Sequence, residues 1–161
     1  MTGAVFPLTL VCAATGLCLS KSRRRSVWLA LIALAIMAAL ASLLPFTEAW
    51  APSIFVAFWI STIITAAMTY LDGGISTWGA ILLGGNNGLW AGAVTTLVGL
   101  QLSSIVALLP LFLLMLPARW LAAQSFRVVA NVGASWVIAI SALAAGVALL
   151  PTPGYVADHM E

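Results

Sequence analysis

From Ile75 to Pro117 the chain carries no side chain that ionises. A segment of that kind cannot coat a water-soluble globule, and it is far longer than a buried strand or core helix requires. The rest of the sequence agrees. Of 161 residues, 63% are hydrophobic and 6% charged, against roughly 45–50% and about 25% in soluble domains. The fold class that follows is a polytopic transmembrane helix bundle. Uninterrupted apolar runs select helices, because a transmembrane β-barrel would show alternation over segments of about ten residues. The two cysteines, Cys12 and Cys18, make no disulfide scaffold. Six positions apart on one helix, they face different directions and cannot bridge, so they read as lipid-facing or packing residues.

A spanning helix needs roughly 20 residues, within about 17 to 25. Four such runs stand out: Ala4–Leu19, Val27–Leu44, Ser53–Leu71 and Val128–Leu150, the last followed by a short extramembrane tail. Residues 1–151 thus form one membrane domain and 152–161 the tail. A cleaved signal peptide is not expected, since Lys21, Arg23, Arg24 and Arg25 follow the first apolar run instead of preceding it. The long uncharged stretch exceeds one span and holds two, at about Ile75–Val98 and Leu102–Leu116.

Orientation favours two crossings there. Basic residues mark the cytoplasmic side, which places the Lys21–Arg25 loop inside. Only an even number of crossings between Leu71 and Val128 keeps Arg119 and Arg127 inside as well. The expected topology is six spans with both termini outside, in a cell membrane of the bacterial inner-membrane type. The runner-up is five spans plus a re-entrant segment, Ile75–Gly85, turning at Asn86 and Asn87. Trp28, Trp50, Trp78 and Trp120 fall at the expected span ends, where indole rings favour the headgroup boundary. Trp59, Trp90 and Trp136 fall within spans and are expected to pack against neighbouring helices. Similar endings of the second and last spans, Ala39–Pro45 and Ala145–Pro151, hint at an internal three-plus-three repeat.

An ionisable group inside lipid is a functional hypothesis by default, and the centres of the expected spans hold none. That argues against a proton relay through a buried carboxylate, a Schiff-base lysine, or intramembrane histidines on a metal or haem. No nucleotide, nucleophile-elbow or zinc motif is present. No catalytic residue, metal or cofactor is expected, and no nucleic-acid partner.

The densest polar feature is Gly84-Gly85-Asn86-Asn87-Gly88. Glycine weakens helices and asparagine competes for backbone hydrogen bonds, so a local break at membrane depth is expected. Broken helices expose backbone groups where transporters bind solutes. Gly84, Gly88, Gly92, Gly99 and Ser103 recur at helical spacing as a small-residue packing face. In the third span Thr62, Thr65, Thr69 and Asp72 share a polar face, either packed against the glycine face or lining a narrow path with Asn86 and Asn87. Lys21, Arg23, Arg24 and Arg25 form the cytoplasmic basic loop.

The loops are too short to hold a soluble domain. The expected function is therefore that of a small non-catalytic subunit of a transport system or larger membrane complex, passing a small solute near residues 84–88. Its partners would be the lipid bilayer and other membrane subunits or copies of itself. The alternative is a scaffold acting through the glycine face. A membrane-embedded enzyme comes third, with only Asp72, Glu48 and the arginines to supply chemistry.

Overall fold

Proline, glycine and serine punctuate the chain where the helices begin and end. The computed structural model describes residues 5–99 and 127–149, all helix and short turns. Helix α1 is Val5–Leu19 and α2 is Arg24–Ser42. Pro45, which cannot donate to a continuing helix, follows the end of α2. Helix α3, Ala51–Ala67, starts with a proline in its first turn, where the missing N–H costs nothing. Short 3-10 turns, Glu48–Trp50 and Met68–Tyr70, extend it at both ends. Helix α4, Thr77–Leu97, is capped by Ser76, whose hydroxyl accepts from the Gly79 N–H at 3.1 Å. It stops at Gly99, held at φ +67° beyond its last turn. Helix α5 is Arg127–Leu149.

Among the described residues, three stretches are long and apolar enough to cross a membrane: Arg24–Ser42, Glu48–Tyr70 and Val128–Val147. Helix α1 is apolar but shorter, at 15 residues. Helix α4 has the length, 21 residues, but its asparagines and glycines dilute its apolar content. The all-helical class therefore stands, with helices able to span a membrane, whereas six spans receive no support from the described residues. The expected span Leu102–Leu116 lies outside the described residues, as do Gln101, Ser103, Arg119, Trp120 and the tail.

Helix α1 sits innermost, with Leu8, Val11, Ala14, Thr15, Cys18 and Leu19 all buried. Cys12 is buried too, so both cysteines pack inside the bundle. Around α1 stand α3, α4 and α5. A core of Leu8, Val11, Leu19, Phe58, Trp59, Ala80 and Val94 joins α1, α3 and α4, and a smaller cluster of Ala14, Ala66 and Val137 brings in α5. Helix α2 lies on the far side of α4.

Polar contacts fix which ends meet. The Lys21 ammonium donates to the Thr69 carbonyl at 2.6 Å, and Ser26 and Thr77 share a hydrogen bond of 2.8 Å. The turn before α2 and the loop before α4 thus occupy one end of the bundle. Tyr70 ties α5 to that same end, because its hydroxyl donates to the Asn131 carbonyl at 3.0 Å and lies 2.6 Å from the Ser135 hydroxyl. Helices α2, α4 and α5 all run away from this basic end, and α1 and α3 run toward it. Consequently Gly99 and Arg127 lie at opposite ends of the bundle.

Two expectations are overturned at Gly84–Gly88. The helix does not break there, and no re-entrant turn occurs at Asn86 and Asn87: α4 is continuous from Thr77 to Leu97. Tertiary contacts override the local propensity, as the next section shows. Among the tryptophans, Trp28, Trp50 and Trp78 are exposed near helix ends and Trp59 is buried, as expected. Trp136 departs from expectation, being 68% exposed within α5.

Candidate functional site

The middle of α4 makes two unlike contacts on two of its faces. On the first, Gly84, Gly88 and Gly92 lie directly over α2. A Cβ built on Gly84 would fall 2.3 Å from the Ala30 carbonyl oxygen, on Gly88 2.2 Å from that of Leu34, and on Gly92 2.4 Å from that of Ala38. No real Cβ tolerates such distances, so only glycine admits this backbone-on-backbone approach. The close pairs advance in steps of four along both helices, which makes α2 and α4 parallel neighbours. This seam lays the α4 backbone directly against the carbonyls of α2, the kind of approach at which Cα–H···O contacts recur between helices.

Packing of the glycine face on the threonine face of α3, one of the two expected arrangements, is not what is found: the glycines meet α2 instead. Gly99 does not belong to that face: its backbone is turn-forming, and among the described residues nothing lies within 4 Å of a Cβ built there. Ser103, the last residue assigned to the face, lies outside the described residues.

The second face of α4 carries Asn87, fully buried between α1 and α3. Its amide oxygen accepts from the Ser61 hydroxyl at 2.6 Å and lies 3.2 Å from that of Thr65. Its amide nitrogen donates to Thr65 at 2.9 Å and to Thr15 at 3.0 Å. Those two hydroxyls can accept because their own protons go to their helices, Thr65 to the Ser61 carbonyl at 2.8 Å and Thr15 to the Val11 carbonyl at 2.7 Å. Ser61 in turn accepts from the Asn86 amide nitrogen at 2.5 Å, and the Asn86 oxygen accepts from the Trp90 indole at 3.0 Å. The network is a directed chain of donors, Trp90 to Asn86 to Ser61 to Asn87 to the two threonines. No proton along it is claimed twice. In a low dielectric such a saturated chain is stabilising, whereas one missing member would strand a buried dipole.

Here lies the reason the helix survives its unfavourable sequence. An asparagine breaks a helix when its side chain bonds the local backbone, and Asn86 and Asn87 are committed to other side chains. The weakness of the glycines is offset by the contact with α2 that they alone permit.

The remaining sequence-derived candidates divide between this network and the basic end. Thr62 is buried and bonds back to the Phe58 carbonyl at 2.9 Å, so it packs without joining the amides. Thr65 joins them. Thr69 is buried at the basic end, where its carbonyl accepts from Lys21 while its hydroxyl has no partner among the described residues. Asp72 is exposed in the loop after α3, away from Asn87. Thr62, Thr65, Thr69 and Asp72 therefore do not form one continuous path with Asn86 and Asn87. Arg23, Arg24 and Arg25 are exposed at the start of α2, with no acidic residue in its first turn. Among the described residues no group of His, Cys, Asp or Glu is arranged to hold a metal.

Ser61, Thr15 and Tyr70 escaped the sequence reading. Ser61 was open to detection, since it stands four residues before Thr65 on the same helical face. Thr15 was not, because a single threonine in an apolar helix carries no signal of what it meets. No protein-family model matches the chain, and neither a curated protein nor a solved structure shows significant similarity to it.

Proposed function

We infer that this chain is a non-catalytic integral membrane subunit that works through helix packing within a larger membrane assembly. The observation that carries the reading is the saturation of the Asn87 network. Every donor and acceptor of the Asn87 amide is spent on Ser61, Thr65 and Thr15, which holds α1, α3 and α4 together. The unbroken α4 offers no free backbone groups of the kind that transporters use. Passage of a solute at residues 84–88, the warrant for direct transport, is accordingly not part of this reading.

The topology proposed with it is six crossings, with the basic end in the cytoplasm and both termini outside, in a plasma membrane. Support comes from the opposite positions of Gly99 and Arg127, which the intervening chain must connect, and from the gathering of Lys21, Arg23, Arg24, Arg25 and Arg127 toward one end. Partners are the surrounding lipid and further membrane subunits, identical or not.

Purification of the tagged chain from its native membrane in mild detergent tests the reading. A stoichiometric membrane complex is expected, together with no solute-dependent flux in liposomes holding the chain alone. Recovery as an isolated monomer, or saturable flux abolished by Asn87→Leu, would overturn it. Thiol labelling of Ser76→Cys and Ser125→Cys in a Cys12→Ala, Cys18→Ala background tests the topology: both should react only from inside.

A further inference from the structure

We propose that Arg23, Arg24 and Arg25 bind the phosphodiester headgroup of an anionic phospholipid at the start of α2, an inference that rests on the membrane packing function above and names the lipid at its basic end. All three arginines are exposed, and the first turn of α2 holds no acid. The helix directions gather Lys21 and Arg127 at the same end. Against these five cations the loop after α3 supplies one carboxylate, Asp72, which can offset only one of them. Glu48 precedes α3 and stands at the opposite end. Asp158 and Glu161 come after α5, which runs away from the basic end, and even counted there in full they leave cations in excess. Residues 100–126 carry a single ionisable side chain, Arg119. Wherever those residues pack, they bring positive charge and no counter-ion. The fold thus concentrates at one end a surplus whose neutralising anions come from outside the chain.

The surface around the arginines selects the kind of anion. A guanidinium presents paired N–H groups that match two oxygens of a phosphate. Arg25, Leu29, Ile32 and Ile36, spaced four, three and four, follow one side of α2 and are exposed among the described residues. Ala30, Leu34 and Ala38 face the other way, onto α4. Trp28, also exposed, lies one turn beyond Arg24 and Arg25, where an indole meets the headgroup boundary. Positive charge at the helix end followed by apolar side chains repeats the order of headgroup and acyl chain in one lipid molecule. A soluble phosphate would use the charges alone.

The test uses the purified full-length chain in detergent micelles holding equal amounts of phosphatidylglycerol and phosphatidylcholine, with retained lipid counted by native mass spectrometry. Phosphatidylglycerol is expected to be retained over phosphatidylcholine by about twentyfold or more. Arg24→Gln and Arg25→Gln should each lower that ratio about fivefold, and replacing all three arginines by Gln should bring it near one. Lys in the same three places, which keeps the charge, should restore most of it. Should the triple Gln variant not fold, the single variants carry the same expectation. Millimolar inorganic phosphate should leave the ratio unchanged. Equal retention of the two lipids, a ratio indifferent to loss of the arginines, or displacement of the lipid by inorganic phosphate would overturn the proposal. So would an acidic membrane protein that co-purifies through these arginines while lipid retention ignores them. Each of those outcomes leaves the packing function standing, whereas a chain that stays folded and monodisperse without detergent would remove both.

Discussion

Helix α4 is held on one face by the absence of side chains and on another by the most polar side chains in the bundle. Against α2, three glycines let two backbones meet, and the contact draws its strength from dispersion and Cα–H groups packed over carbonyls. Against α1 and α3, a buried amide reads the positions of three hydroxyls. In lipid the hydrophobic effect does not drive helices together, so a small membrane bundle relies on these two devices. They fail differently. The glycine seam tolerates no added atom, whereas the amide network tolerates a change of shape but not the loss of a partner.

The largest expected effect is at the seam. Gly88→Leu should prevent recovery of folded protein, because even its Cβ would lie 2.2 Å from a backbone oxygen that cannot move aside. Gly88→Ala should cost about 3 kcal/mol or more, read as a lower melting temperature in detergent. The neighbouring Gly85→Ala breaks the comparison if it behaves alike. A Cβ there meets only the Met37 Cγ at 3.5 Å, and the substitution should be neutral or stabilise by up to about 1 kcal/mol.

Next comes Asn87→Leu, which strands Ser61 and removes the acceptor and donors that join three helices. A loss of about 2 kcal/mol is expected, measured by unfolding in mixed detergent micelles. A double-mutant cycle between Asn87→Leu and Thr15→Val should give a coupling of about 0.6–1.7 kcal/mol; a value near zero would remove α1 from the network. The smallest effect belongs to Lys21→Met at the basic end. Its ammonium donates to one carbonyl in a partly buried setting, and its loss should cost about 0.5–1.5 kcal/mol.

The sequence reading identified both devices and mistook how they are used. Gly84, Gly88 and Gly92 announce a close helix contact by their spacing, and that contact exists. Which helix fills it cannot be read, because α2 offers only Ala30, Leu34 and Ala38, a pattern shared by every alanine- and leucine-rich segment of this chain. Asn86 and Asn87 announce something polar at depth. Propensity alone turned them into a break, since the partners that keep their side chains off the backbone come from Ser61, Thr65 and Thr15, far away in sequence. The Asp72 end of the threonine stripe was misjoined for a similar reason. Steps of three and four along α3 and the turn after it place Thr62, Thr65 and Thr69 on one face, yet only Thr65 joins the amides: Thr62 bonds back to its own helix and the Thr69 hydroxyl has no partner among the described residues.

The helical class, the presence of helices able to span a membrane and the clustering of positive charge follow from the sequence by itself, because they depend on summed composition and on apolar runs whose backbone groups must satisfy themselves. Continuity of α4, its pairing with α2, and the different settings of Asn87, fully buried and saturated, and Asn86, exposed, were decided only in the assembled bundle. Each of these depends on distances of 2 to 4 Å between residues remote along the chain, and hydropathy and local propensity carry no such distances.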